Sequence, residues 1–405
     1  MPWNFRQYGS ARDPIHKSHL NSIVGDYGCP KRFRYEMDAA ADRGDSSPDE
    51  RDTVAGKTAA GTAVHETIAR ALTNEAACEA ILSGRWTPNR DAIKRVFWEE
   101  FERETGARKV QWYSDNESDV LDDAINMIVG LLSRLHEHVA EIVLVEPGFI
   151  APLGTYWLCG HIDLVYVPKR ALDTIALADW KSGKQKPSQL ELDHSWEAGV
   201  YSSALRFGTF IPRESIEHSL APSGAHVAKV GGHVSTHPSR YIAERQAIEA
   251  ALIGLACGER HPDAMRLTTF PSSIHYVALH DYVPYERAGS KAVTRLEDLS
   301  HYGYDSPPTG KHKYKAGDLR GGAWCNVALR ETDLVRLEAR LRNVVGMIRM
   351  GRFIDQIGDM RCARCKHARL CLNDGFESNA DESKELARDL RGIDMTSTDA
   401  LSADE

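Results

Sequence analysis

The chain has 405 residues, of which 42% are hydrophobic and 27% are charged, and its formal net charge at pH 7 is −8. These values are typical of globular proteins and allow one elaborated domain or two domains. No apolar run approaches the ~20 residues of a membrane span, and the N-terminal residues lack an apolar signal segment, so we expect a cytoplasmic protein without a membrane partner. The net acidity neither indicates nor excludes nucleic-acid binding, because such binding depends on the local electrostatic field at a groove and not on the net charge.

Helical patterns dominate the first third of the chain. Residues 57–73 (GKTAAGTAVHETIARAL) predict a helix with one apolar side, and His65 lies within that side. Residues 89–104 and 117–142 predict two further helices that cover the core. A single histidine on an apolar helix face is more often a core residue than a ligand, so His65 alone does not indicate a site.

The central part of the chain predicts adjacent strands that carry acidic side chains. Residues 158–167 and 174–180 are rich in β-branched, aromatic and apolar types, with a turn between them. Side chains alternate faces along a strand, so Asp179 and Lys181 share a face with apolar residues, where a charge is costly. With Asp163, these residues favour a divalent cation held by carboxylates beside a lysine that stabilises developing charge. The alternative is a strand end or a salt bridge, because such patterns also occur by chance.

The region after these strands predicts further elements and one long connection. Residues 189–207 and 239–257 predict helices, and residues 301–322 predict a loop. Basic side chains of that loop lie beside Tyr314; they are Lys311, Lys313, Lys315 and Arg320. Such side chains suit contacts to phosphates and stacking on a base, and the alternative interpretation is a solvated loop.

Three cysteines lie close together near the C-terminal end, at Cys362, Cys365 and Cys371. This density favours a metal ion or an iron–sulfur cluster in a reduced compartment. A structural zinc site would need a fourth ligand, for which His367 is available. An iron–sulfur cluster would need a fourth thiolate, for which Cys29 is the isolated candidate. The spacing leaves both alternatives open, including a zinc-stabilised protein of unrelated function.

The motifs and their order resemble the RecB-type nucleases of the PD-(D/E)xK superfamily, and within it the iron–sulfur branch that includes AddB and the exonucleases of CRISPR adaptation. GTAVHET resembles the Gly-x-x-x-His helix, GHIDLV the Gly-x-x-Asp strand and ADWKSGK the (D/E)-x-K strand. LNSIVGDYGCPKRFRYE resembles the motif with the first cluster cysteine, and CARCKHARLC the closing triplet. The resemblance covers residues 18–72, 146–207 and 332–371.

The resemblance implies an α/β fold with a restriction-endonuclease-like core, in which helices flank a mixed central sheet. It implies Mg²⁺ or Mn²⁺ as the metal cofactor, with four ligands: His65, Asp163, Asp179 and the backbone carbonyl of Trp180. Lys181 would position or deprotonate the attacking water, or stabilise the transition state. Glu146 and Tyr201 would support these residues.

The resemblance also implies a 4Fe-4S cluster that joins the N- and C-terminal segments. Its ligands would be Cys29, Cys362, Cys365 and Cys371. One position departs from the family pattern, because Glu197 stands where the family usually has glutamine. A carboxylate at this place would pair with Lys181 or repel a phosphate, which affects substrate preference and rate more than fold.

Four segments follow from this interpretation. They are residues 1–208 with the N-terminal cluster segment and nuclease core, residues 209–330 as an elaboration or insertion of the core, residues 331–373 with the last helix and the cysteines, and residues 374–405 as an acidic, disordered tail.

The implied function is a metal-dependent DNA exonuclease that acts on single strands or ends in recombination, repair or phage DNA processing. Candidate partners besides DNA are a helicase, an integrase or a recombinase. The alternative is a non-catalytic iron–sulfur subunit that binds DNA or acts as a scaffold. The set of His65, Asp163, Asp179 and Lys181 argues against that alternative, and Glu197 argues weakly for it.

Overall fold

The structure is a computed structural model. The described residues are 5–23, 29, 31–34, 37, 53–106, 108–112, 116–183, 196–237, 240–267, 271–279, 324–327 and 331–350. The predictions for Cys362, Cys365 and Cys371, for the loop 301–322 with Lys311, Lys313 and Arg320, and for the tail 374–405 lie outside the described residues.

The helices begin with side-chain caps in several places. They are α1 (Lys17–Ile23), α2 (Gly56–Thr73), α3 (Glu75–Leu82), α4 (Arg90–Thr105), α5 (Glu117–Arg134), α6 (Trp196–Phe207), α7 (Arg240–Ala256) and α8 (Glu331–Arg349). The side chains of Asn74, Asn89 and Asn116 accept hydrogen bonds from backbone N–H groups in the first turns of α3, α4 and α5. Asparagine satisfies donors that a helix start leaves unpaired, which explains why these helices begin where they do.

The strands form a mixed arrangement. They are β1 (Ile15–His16), β2 (Thr53–Ala55), β3 (Lys109–Gln111), β4 (Val139–Val145), β5 (Gly148–Leu153), β6 (Tyr156–His161), β7 (Leu164–Pro168), β8 (Ile175–Lys181), β9 (Thr209–Ile211), β10 (Glu217–Leu220), β11 (His226–Val230), β12 (His233–His237), β13 (Pro271–Ala278) and β14 (Trp324–Val327). A five-stranded sheet has the order β14-β13-β8-β7-β4, with β8 parallel to β13 and antiparallel to β7. A second sheet has the order β1-β6-β5-β9, and a third the order β10-β11-β12. The five-stranded sheet is called the central sheet below.

The central sheet separates two apolar layers. On one side Ala176, Ala178 and Trp180 of β8 pack with α2, α4 and α5. On the other side Leu177 packs with α6 and α8. Since faces alternate along a strand, Asp179 shares the face of Leu177 and points toward the layer that contains α6. A helix and sheet arrangement of this kind confirms the predicted mixed α/β fold with helices on both faces of a mixed sheet.

Two predicted element boundaries are wrong. Residues 158–167 do not form one strand, because the chain leaves β6 at His161 and enters β7 at Leu164, and these strands belong to different sheets. Asp163 therefore lies in the connection between two sheets. The predicted helix 117–142 ends at Arg134, and β4 begins at Val139. The run VAEIVLV in β4 is rich in β-branched residues, which favour a strand although leucine spacing continues the helical pattern.

The segment 209–330, predicted as an elaboration of the core, contributes to the central sheet itself. Strand β13 pairs in parallel with β8, with Tyr276 opposite Asp179, and β14 pairs with β13. Before these strands, α7 packs on the second sheet through Ala247, Ile248 and Leu252. Within the described residues, no helix has both the length and the apolar character needed to cross a bilayer.

Candidate active site

A cleft of about 630 Å³ opens between α2, the ends of β6 and β8, and α7. The predicted residues that line it are His65, Glu146, Asp163, Asp179, Trp180, Lys181 and Glu197. They come from separate parts of the chain: His65 from α2, Glu146 from the end of β4, Asp163 from the β6–β7 connection, and the others from β8 and α6. The fold thus brings these predicted residues into one cleft.

Three of these side chains form a group that suits a metal ion. Nδ1 of His65 lies 3.3 Å from Oδ1 of Asp163 and 3.8 Å from Oε1 of Glu146. One potential ligand atom from each lies within 4.8 Å of the others. Oε1 of Glu146 is buried and has no hydrogen-bond partner within the described residues. Carboxylate oxygens and an imidazole fit Mg²⁺ or Mn²⁺, so these residues, called the metal trio below, fit a divalent cation.

Glu146 has an unusual backbone conformation. Its φ is +47°, and no other non-glycine residue among the described residues has a positive φ. The left-handed region costs a non-glycine residue on the order of 1 kcal/mol. The N–H of Glu146 donates a 3.0 Å hydrogen bond to the carbonyl of Asp163, and this contact ties two members of the metal trio together. The resemblance implied a supporting role for Glu146, whereas the geometry places its carboxylate among the potential ligands.

The electrostatics of the metal trio favour a bound proton in the absence of a cation. Burial opposes a charged imidazole, but the carboxylates of Asp163 and Glu146 outweigh it and raise the pKa of His65 to about 10. Burial and the charge of Asp163 raise the pKa of Glu146 to about 7. A metal ion must displace protons from such a site, so its binding is linked to proton release.

A second group surrounds Asp179, whose exposed fraction is 3%. Nζ of Lys181 lies 2.6 Å from Oδ2 of Asp179, and Nζ of Lys17 lies 2.8 Å from Oδ1. The hydroxyl of Tyr201 also donates a hydrogen bond to Oδ1. Burial would raise the pKa of Asp179, but the two ammonium groups outweigh it and hold that pKa below its ordinary value. Asp179 is therefore a carboxylate with two cationic partners and is not a member of the metal trio found among the described residues.

The two groups are connected through the backbone of β8. The N–H of Trp180 donates a hydrogen bond to Oδ2 of Asp163. This bond holds the β6–β7 connection against β8, between Asp179 and Lys181. The contact involves the amide of Trp180, and the role of its carbonyl as a metal ligand stays a prediction.

Sequence reasoning missed Lys17. It follows β1, which pairs in parallel with β6, with His16 opposite Cys159. A Cβ at Gly160 would lie 3.0 Å from Cβ of Lys17, so the glycine leaves room for this approach. No local pattern around Lys17 could have indicated its position, because the pairing joins strands far apart in sequence.

Glu197, the departure from the family pattern, contacts Lys181. Its Oε2 lies 3.1 Å from Nζ of Lys181, and the hydroxyl of Tyr276 donates a 2.9 Å hydrogen bond to the same oxygen. Burial would lower the pKa of Lys181, but Asp179 and Glu197 outweigh it and raise that pKa above its ordinary value. Lys181 is thus a protonated ammonium at neutral pH.

Cys29 is the only predicted cluster ligand among the described residues. Its thiol is half-buried and not in a disulfide, and its Sγ accepts a 3.5 Å hydrogen bond from the N–H of Arg32. The other predicted ligands and the basic loop residues lie outside the described ranges, so their positions relative to the cleft stay predictions.

A comparison with protein families gives an independent result. The model of the PD-(D/E)XK nuclease superfamily matches residues 27–372. Among curated proteins, none matches the chain. The matched range includes Cys29 and the three C-terminal cysteines, and it begins after Lys17.

Proposed function

Because the chain belongs to the PD-(D/E)XK nuclease superfamily, we propose that it is a metal-dependent deoxyribonuclease, an exonuclease that acts on single-stranded DNA or DNA ends. The observation that carries this proposal is the convergence of the metal trio and Lys181 in one cleft. Phosphodiester hydrolysis needs a cation at the phosphate and a fixed positive charge near the developing charge. The cleft provides residues for both.

The roles of the side chains follow from their charges. A divalent cation, when bound, lowers the pKa of a water and neutralises phosphate oxygens. His65, Glu146 and Asp163 would hold it, with Asp179 as the further carboxylate that the resemblance implies. The raised pKa of Lys181 keeps its amine protonated, so we assign it to charge stabilisation and to orienting the attacking water. A protonated amine cannot accept the proton of that water.

We also propose membership of the RecB-type iron–sulfur branch. A 4Fe-4S cluster would be held by Cys29, Cys362, Cys365 and Cys371 and would fix the terminal segments against the core. The cysteine spacing supports this, as does the half-buried thiol of Cys29, which is not in a disulfide. Closing so long a loop contributes stability, so a structural role suffices and no redox step is required.

The biological setting is a further part of the proposal. The family resemblance supports recombination, repair or phage DNA processing, with a helicase, an integrase or a recombinase as partner. The second candidate function is a non-catalytic DNA-binding subunit. The contact between Glu197 and Lys181 favours it, because this carboxylate offsets the positive charge that would face a phosphate.

An anaerobic preparation tests both functions. Its visible spectrum and iron content are measured first, since an iron–sulfur protein absorbs near ~400 nm and zinc does not. Cleavage is then measured on end-labelled linear and on circular single-stranded DNA with Mg²⁺, Mn²⁺ or EDTA, with Lys181→Ala protein as the control. Metal-dependent loss of the linear DNA alone supports an exonuclease, and loss of both forms indicates an endonuclease. Brown protein without cleavage supports the DNA-binding subunit, and colourless protein that cleaves contradicts the cluster.

A further inference from the structure

Lys17 is held in the cleft by several side-chain contacts, and it belongs to none of the motifs described above. Its Nζ lies 2.8 Å from Oδ1 of Asp179 and 4.4 Å from the ring centroid of Tyr201, and it also contacts the hydroxyl of that tyrosine. A carboxylate, a hydroxyl and an aromatic face thus surround one ammonium group. The side chain of Lys17 is 21% exposed, so it is largely enclosed, and it is one of the residues that line the cleft.

The contacts of Lys17 conflict with a metal ligand at Asp179. Both oxygens of this carboxylate already face cations, Oδ1 facing Lys17 and Oδ2 facing Lys181. A divalent cation that takes Asp179 as a ligand would meet two ammonium groups at close range, where like charges repel strongly in a partly buried site. Lys181 is also held by Glu197. Lys17 has no carboxylate contact besides Asp179 within the described residues, so it is the cation more readily displaced.

We propose that Lys17 competes with the metal ion for the carboxylate of Asp179. Its ammonium holds Asp179 until a divalent cation enters beside the metal trio, and metal binding displaces Lys17 from that carboxylate into the cleft. This rests on the proposed function in one respect, namely that the cleft takes a divalent cation. Lys17 lies outside residues 27–372, which match the family model. Lys17 is a positioning residue in this scheme.

Metal affinity without DNA tests the competition. The affinity of the full chain for Mn²⁺ is measured by electron paramagnetic resonance and calorimetry for wild type, Lys17→Met and Lys17→Arg. We expect Lys17→Met to bind Mn²⁺ about tenfold more tightly, because a competing charge next to a ligand is removed. Lys17→Arg keeps the charge and should stay near wild type. Equal or weaker binding by Lys17→Met would overturn the proposal.

Lys57→Met is the matched control for that series. Lys57 lines the same cleft, so the substitution removes an equal charge and reports the general electrostatic effect on Mn²⁺ affinity. The proposal requires the gain in Lys17→Met to exceed the gain in Lys57→Met. Similar gains in both variants would mean that Lys17 acts only through the overall field and would contradict a direct competition.

Wild-type protein gives a second test that does not depend on a variant folding. Acetylation of lysines by an amine-reactive ester is followed residue by residue by mass spectrometry, with and without Mn²⁺. We expect Mn²⁺ to increase the labelling of Lys17 several-fold while Lys229, which pairs with Glu217 on the surface, is unchanged. Unchanged or reduced labelling of Lys17 would reject displacement. Neither test uses DNA or turnover. A protein without nuclease activity would therefore refute the proposed function but not the competition between Lys17 and the metal ion. Failure of the competition would likewise leave the proposed nuclease function standing.

Discussion

Glu197 and Lys181 form an ion pair at 3.1 Å, and both residues line the cleft that holds the metal trio. Tyr276 donates a hydrogen bond to the same carboxylate oxygen, so Glu197 is fixed by a cation and a hydroxyl. Asp179 contacts Lys181 from the other side at 2.6 Å. Lys181 therefore shares its charge between two carboxylates before any phosphate reaches it.

We expect Glu197→Gln to cleave DNA more efficiently than wild type. The amide keeps an acceptor for Tyr276 and removes a negative charge that repels phosphate, so KM should fall by roughly 3- to 10-fold. Steady-state cleavage of labelled single-stranded DNA at fixed ionic strength measures this. Tyr276→Phe is the control, because it removes the hydroxyl that orients Glu197 but leaves its charge. A higher KM in Glu197→Gln would show that the carboxylate assists the reaction.

Replacing Lys181 with alanine should remove cleavage and leave the fold intact. Lys181 lies at the end of β8 and its side chain is 34% exposed, so the loss of packing is small. The loss of a preorganised charge near a developing charge lowers kcat by roughly 10²- to 10³-fold. Cleavage and circular dichroism are measured on the same preparations, with Lys57→Ala as the matched cleft lysine. Retained activity in pure Lys181→Ala protein would exclude this lysine from the mechanism.

The sequence predicts those site residues whose pattern is formed by neighbours close to them along the chain. His65 lies in a helical pattern and Asp179 in a strand pattern, and each pattern depends on neighbours a few positions away. The position of Asp163 was identified, but its place in the connection between two sheets was not, because GHIDLV continues the apolar run of a strand. Local spacing also could not show that β4 follows α5 so closely.

Other features depend on contacts between distant segments. Lys17 reaches Asp179 only because β1 pairs with β6, and no residue near Lys17 indicates that pairing. The position of Tyr276 beside Glu197 depends on the parallel pairing of β13 with β8, which follows from the topology of the whole sheet. The left-handed backbone at Glu146 is likewise unexpected, since glycine or asparagine would be the usual residue there.

We expect Arg213→Met to destabilise the protein strongly. Arg213 bridges Glu66 of α2 and Glu244 of α7, at 3.2 Å and 2.9 Å, and both carboxylates are buried. The variant leaves the carboxylate of Glu66 buried without this arginine, beside Glu244, which keeps Arg240 at 2.6 Å. Removing one partner of a buried ion pair costs about 3–5 kcal/mol. Urea unfolding at pH 7.5 measures the change in the free energy of unfolding. Glu66 follows His65 directly, so this ion pair also holds the helix that carries a member of the metal trio.

The matched control for Arg213 is an exposed arginine with a carboxylate partner. Arg85 pairs with Glu79 at 2.8 Å, and both side chains are mostly exposed. Arg85→Met should change the free energy of unfolding by less than about 1 kcal/mol. If Glu66→Gln added to Arg213→Met fails to recover stability, then unpaired charge is not the reason for the loss.

His275 is expected to make folding stability depend on pH. Its Nδ1 lies 2.7 Å from the hydroxyl of Tyr166, and its ring packs edge-on against Trp324. Burial, with a smaller effect of nearby His138, lowers the pKa of His275 to about 4 from an ordinary value of 6.5. Below pH 6.5 the unfolded chain takes up a proton at this residue and the folded protein does not.

The sign of the effect follows from this depressed pKa. Stability is unaffected above pH 6.5 and falls as the pH drops from about 6.5 toward 4, with a loss of about 2 kcal/mol at pH 5. His275→Gln keeps an acceptor for Tyr166 and cannot titrate. The free energy of unfolding of both proteins is measured by urea unfolding at pH 7.5 and at pH 5. Between these two pH values, wild type should lose about 2 kcal/mol more stability than His275→Gln. Parallel pH profiles for the two proteins would mean that His275 accepts a proton in the folded state without loss, and that its contacts with Tyr166 and Trp324 do not exclude the charged form.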